Sequence, residues 1–224
     1  MKKSTATAFA ILVLAGATSV SAAIVVGSVT GGSIASANPA GAFVKLDPSA
    51  GGFSVGQNNF NTNTIYGFDE QQGFTLTAEL AANLGLTSIA VGTRVNSHFL
   101  FFDPLLTQTA QATIIFDTSV LAAITLRPQL MASNFLGASG VTYLTPSSVG
   151  LESGIDFLRL GAPDANSIRI TNLNADSPGD HFRILTLAPA LAVPEPATWL
   201  QMLVGFGLLG SVLRGRARKV SATI

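Results

Sequence analysis

The chain has 224 residues, 48% of them hydrophobic and only 11% charged, with no cysteine and a formal net charge of zero. The missing cysteine excludes disulfides, thiol chemistry and cysteine-ligated metals, so the fold must hold by core burial alone, which roughly 170 residues are able to supply. The neutral total conceals an asymmetry: Lys2, Lys3, Arg214, Arg216, Arg218 and Lys219 sit at the termini, leaving residues 24–193 with six bases against eleven acids, a balance of −5. An acidic body lacks the clustered Lys and Arg that displace counterions from nucleic acid, so no nucleic-acid partner is expected.

At the start of the chain, Met1-Lys2-Lys3 is positive, residues 8–17 (AFAILVLAGA) form an apolar run too short to span a bilayer comfortably, and Val20-Ser21-Ala22 are small. This pattern predicts a signal peptide over residues 1–23, removed by signal peptidase after Ala22 or after Ala23. Residues 24–57, rich in Gly, Ala and Ser, read as a weakly committed lead-in with room for one edge strand.

From Phe60 onward, short β-branched and aromatic runs alternate with Gly, Asn, Asp and Pro, which predicts an all-β body over 58–190, an antiparallel β-sandwich of jelly-roll-like character. Residues 76–86 (LTAELAANLGL) have helical propensity, but the punctuation around them favours strand and loop. The clearest strands are 94–102 (RVNSHFLFF), 112–116 (ATIIF), 120–126 (VLAAITL), 167–170 (SIRI) and 182–187 (FRILTL). Phe99 to Phe102 is apolar on both faces, as a central strand buried on both sides requires. In 167–170 the alternation sets Ile168 and Ile170 against Ser167 and Arg169, predicting one wet face. Phe182, Ile184 and Leu185 are expected to pair with that strand across a turn at 172–181.

Chemistry is sparse in this stretch. His98 and His181 are the only histidines; neither Asp103, five residues after His98, nor Asp180, next to His181, fixes the geometry a general base needs. Both read as core or turn histidines. Asn172, Asn174, Asp176 and Asp180 place hard oxygen donors at alternate positions, as calcium loops do, but Ser177 stands where such a loop needs Gly and the closing Glu is missing. Asp69-Glu70 and Glu152 with Asp156 read as acids of a solvated surface. No nucleophile elbow, phosphate loop or His-Glu-x-x-His occurs, so neither a catalytic residue nor a cofactor is expected.

The C-terminal end is the most informative. Val193-Pro194-Glu195-Pro196 interrupts regular structure, because each proline lacks a donor and biases its predecessor towards extended conformations. Residues 197–213 (ATWLQMLVGFGLLGSVL) carry no charge and reach about 25 Å as a helix, near the lower limit for a membrane span. Trp199 falls at one predicted interface and Arg214, Arg216 and Arg218 at the other, and such a basic flank stays cytoplasmic. Both ends therefore predict a single-pass precursor whose body faces away from the cytosol.

Pro194-Glu195-Pro196, Trp199, the glycines at 205, 207 and 210 and the Arg-rich terminus together resemble the PEP-CTERM sorting signal of Gram-negative bacteria in its Trp-containing variant, over residues 191–220. Trp199-Leu200 stands where relatives usually continue Trp-Ala, and Gly215 and Ala217 interrupt the basic run. The resemblance implies an exosortase, a membrane-embedded transpeptidase, that recognises the motif after transient residence in the inner membrane and leaves the body at the cell surface or outside the cell. It also implies association with exopolysaccharide and biofilm. Within the body, Asn58-Asn59-Phe60, 66–70 (YGFDE), 97–104 (SHFLFFDP) and 135–144 (FLGASGVTYL) are similar to segments of a group of PEP-CTERM passengers that brings no activity with it. The leading expectation is a non-enzymatic structural or polysaccharide-associated protein. A secreted hydrolase acting on exopolysaccharide and a permanently anchored periplasmic binding module are the alternatives.

Overall fold

A computed structural model describes residues 23–37, 43–56, 58–144, 149–162, 164–190 and 201–209. The chain divides into a body, Val20–Ala190, and a second unit made of Met1–Ser19 and Leu191–Ile224.

The body is all-β. Its first part holds β1 (Ile24–Gly31), a short helix α1 (Ser33–Ala37), β2 (Phe43–Lys45), β3 (Phe53–Val55), β4 (Ile65–Asp69) and β5 (Phe74–Thr75). The short β6 (Leu80–Ala81), β7 (Leu84–Gly85) and β8 (Ser88–Ile89) lead into the long β9 (Arg94–Phe102) and β10 (Gln108–Phe116). The chain continues with β11 (Val120–Ile124), α2 (Arg127–Ala132), β12 (Val141–Tyr143), β13 (Phe157–Leu160), β14 (Ser167–Ala175) and β15 (Asp180–Leu187). The helical propensity of 76–86 is not realised: those residues form β6, β7 and the turns around them.

Two larger sheets organise the body. One is antiparallel in the order β1-β10-β14-β13; the other runs β2-β4-β9-β15-β11-β7, with β5 paired to β9 beyond the end of β4. Side chains alternate across each strand, so β9 sends Leu100 and Phe102 to one face and Val95, Phe99 and Phe101 to the other. The first face shares an inner core with Ala112, Ile114 and Phe116 of β10 and Ile168 and Ile170 of β14. The second forms an outer core beneath α2, the single turn Asn134–Leu136, the parallel pair β3–β12 and the hairpin β6–β8. With both faces covered, eight of the nine residues of β9 are buried: Phe99 to Phe102 read apolar accordingly, and the polar Asn96, Ser97 and His98 are buried with hydrogen-bond partners. Each large aliphatic or aromatic side chain so buried stabilises the fold by about 1.5–3 kcal/mol.

Two sequence expectations change. The described residues of 24–57 belong to the body: β1 supplies the expected edge strand, but Ile24 and Ile34 lie in the inner core and β2 and β3 join the sheets. The expected hairpin between 167–170 and 182–187 does not form, because β14 pairs with β10 and β13 while β15 lies between β9 and β11 in the other sheet. The strands extend towards each other instead, leaving only 176–179 as the connection. Gly179 has φ 84°, and a Cβ there would lie 2.5 Å from the Phe102 carbonyl oxygen, so the tight passage from one sheet to the other needs glycine.

In the second unit, residues 201–209 are helical, with Met202, Leu203, Val204, Phe206, Leu208 and Leu209 exposed. Among the described residues no helix is long and apolar enough to cross a membrane. The remainder of the span expected over 197–213 lies outside the described residues, as do Ala22, Pro194, Glu195, Pro196, Trp199, Arg214, Arg216 and Arg218.

Candidate functional site

Glu152 and Asp156 lie on the segment leading into β13, at the edge of the smaller sheet, and Asp180 opens β15 in the larger one. One carboxylate oxygen from each of the three lies within 4.8 Å of the others. Asp156 is fixed by the backbone: the Glu152 N–H donates to Oδ2 at 2.7 Å and the Asn174 N–H to Oδ1 at 2.9 Å. Asp180 is 2% exposed, and its Oδ2 has no hydrogen-bond partner. None of the three forms an ion pair among the described residues. Burial first, then the charges of Asp156 and Glu152, push the Asp180 carboxyl up to about 9. Burial and then Asp156 push Glu152 up to about 7.

The structure redistributes the four oxygen donors that the sequence offers at alternate positions, as in an incomplete calcium loop. Asn172 and Asn174 lie within β14, where the Asn172 amide donates to the Ile155 carbonyl oxygen at 2.8 Å, so no loop wraps a common centre. Asp176 stands in the connection and adds negative charge near Asp180. Asp180 alone of the four joins the cluster, and its companions come from acids that the sequence placed on an ordinary surface. A Glu-x-x-x-Asp spacing was the one visible signal, and it is too common to mark a site.

The histidines occupy two other networks. His98, fully buried, lies 2.7 Å from Asp69 Oδ1 through Nδ1 and 3.1 Å from Thr186 Oγ1 through Nε2. An Asp-His-Thr line resembles a hydrolytic relay, but Thr186 is also fully buried, so its hydroxyl meets no substrate. Asp69 further accepts from Lys45 Nζ at 2.7 Å and from the Ile24 N–H at 2.9 Å. Burial works to raise its carboxyl; the hydrogen bonds from His98, Lys45 and Ile24 outweigh that and hold it below the ordinary range. His181 accepts from the Gly56 N–H at 3.1 Å through Nε2 while Nδ1–H donates to the Gly179 carbonyl at 3.0 Å.

Glu70 is likewise no surface acid. Arg183, fully buried, grips its carboxylate in a fork, Nε at 2.6 Å and a terminal nitrogen at 2.8 Å, and donates also to the Leu130 carbonyl and to Ser133 Oγ. Ser97 Oγ at 2.5 Å and the Tyr143 hydroxyl at 2.7 Å complete the shell of Glu70. Burial, then the neighbouring Glu70 charge, raises the Tyr143 phenol above its usual range. This network ties the loop after β4 to β9, β15, α2 and β12, and its polar groups are spent on each other.

Among the described residues, fold and site define an all-β body with an inner and an outer core and one acidic cluster between its sheets. Comparison of the chain with protein-family models, curated proteins and solved structures finds no match.

Proposed function

We propose that this chain is an exported, non-enzymatic protein of the surface or extracellular matrix of a Gram-negative bacterium, with a jelly-roll-like β-sandwich body in a structural or polysaccharide-associated role. A signal peptide carries it across the inner membrane, and an exosortase-type transpeptidase sorts it at Pro194-Glu195-Pro196. The observation that carries this reading is where the body's limits fall. Its first described strand begins at Ile24, directly after Ala23, although the compact unit itself starts at Val20, and that unit ends at Ala190, just ahead of the motif. Removing both processing segments therefore takes away none of the described strands. The exposed apolar side chains of 201–209 suit a helix whose surroundings are lipid.

Mass spectrometry of the mature protein tests the reading directly: the chain is expected to begin at Ala23 or Ile24 and to end near Pro194. Replacing Pro194, Glu195 and Pro196 by alanine should leave an uncut tail in the membrane fraction, and release at the wild-type level defeats recognition at the motif. A full-length membrane product carrying Trp199 in the wild type favours the anchored binding module instead.

A hydrolase acting on exopolysaccharide needs two carboxylates flanking a sugar-sized cleft at roughly 5 to 10 Å. Glu152 and Asp180 approach the shorter separation, but Asp180 is sealed from solvent. The two described clefts, one beside Glu79 and Gln129 and one beside Asp47 and Ser139, do not include either residue.

A further inference from the structure

We propose that Glu152, Asp156 and Asp180 form a calcium site that staples the two sheets of the body together. Three carboxylates converge so that one oxygen of each lies within 4.8 Å of the others, a separation that a single cation bridges with oxygen ligands at about 2.3–2.6 Å. The second observation is Asp180 itself: it is 2% exposed, and its Oδ2 finds no donor in the surrounding protein. A buried acceptor with no donor is a costly arrangement that native folds rarely retain unless something outside the chain completes it.

The chemistry of the donors selects the cation. All three are hard carboxylate oxygens, with no imidazole or thiolate among them, which disfavours zinc, copper and iron(II). They come from an irregular segment and from the first residue of a strand, a setting that tolerates the variable, high-coordination geometry of calcium better than the strict octahedron of magnesium. The backbone has already oriented one ligand, since the two N–H groups on Asp156 hold its carboxylate in place and leave each oxygen a lone pair. Glu152, exposed at the rim, supplies the entrance.

The position gives the ion its consequence. Asp180 begins the strand seated between β9 and β11, whereas Glu152 and Asp156 precede β13, the far edge of the other sheet. A cation held by all three links the sheets at the rim of the inner core. The site thus stabilises the fold and needs no substrate.

The test uses the purified full chain in detergent, stripped with a chelator and titrated with calcium chloride by calorimetry, with thermal melts in parallel. Binding of one Ca2+ with a dissociation constant of roughly 10⁻⁴ to 10⁻³ M or tighter is expected, together with a higher melting temperature. Asp180→Asn keeps the shape and removes a carboxylate ligand, so it should fold well and bind at least tenfold more weakly, with the calcium-dependent rise in melting temperature lost. Glu152→Gln should weaken binding in the same direction, and Glu79→Gln, an exposed acid elsewhere, should bind as wild type. Absence of heat at 10-fold the upper limit of that range, or unchanged binding by folded Asp180→Asn, overturns the proposal. None of these outcomes depends on how the chain is exported or processed.

Discussion

Arg183 is the bulkiest of the fully buried side chains, and its charge is tolerated only because Glu70 meets it with a bidentate pair and backbone and hydroxyl oxygens take the remaining protons. Breaking such a pair by removing one partner leaves an uncompensated charge in the core. Glu70→Gln is therefore expected to cost about 3–5 kcal/mol, measured by urea denaturation. Glu70→Leu combined with Arg183→Met should cost less than the sum of the single changes, because the double variant buries no lone charge. His181 makes the complementary case. Burial holds its pKa down at about 4, against an ordinary 6.5, so the fold binds the neutral ring. Stability from this source is complete above pH 6.5 and is lost as the pH falls through 4, by up to about 3 kcal/mol. Denaturation midpoints between pH 7 and pH 4 should record that loss, and His181→Gln should flatten it. Neither network was legible in the sequence: Glu70 and Arg183 are 113 positions apart, and only the sheet order brings them together.

Among the elements, β9 was read at its observed bounds, because the apolar run Phe99 to Phe102 closed by Asp103-Pro104 has few other uses than a strand covered on both faces. The pairing of β14 with β15 was misread for an equally physical reason. Ile168 and Ile170 repeat with the same period as Phe182 and Ile184, and the polar residues between them look like a turn. Alternation says which side chains share a face; it does not say which sheet a strand joins. Here Asn172 and Asn174 continue β14, satisfied by partners on the 155–156 segment. Close approach between elements supplies a further test. A Cβ on Gly67 in β4 would lie 2.6 Å from Leu100 Cδ2 and 3.0 Å from Ile24 Cδ1, inside the inner core. Gly67→Ala should therefore destabilise the body by about 1–3 kcal/mol through overpacking, read as a lower midpoint in chemical denaturation. Ile114→Ala, which empties a fully buried site opposite, should cost about 2–5 kcal/mol.

For the whole molecule, the functional proposal rests on the two ends, and the all-β architecture rests on the body. The proposed signal and sorting segments are local patterns read from order and composition alone, so their reading rests on contiguous residues and not on how the chain folds. The acidic cluster is the reverse, assembled from two stretches that come together only once both sheets exist. The order of strands in the larger sheet has a consequence for how this polypeptide is made. Its final strand, β15, sits between β9 and β11, both of which are synthesised well before it. Until residue 187 has emerged, those two neighbours present open, apolar edges with nothing to close them, so vectorial synthesis cannot complete the sheet stepwise. A chain stopped at Asp176 should accordingly remain protease-sensitive and lack a cooperative melt. By this strand order the larger sheet closes only once its last-made strand is in place.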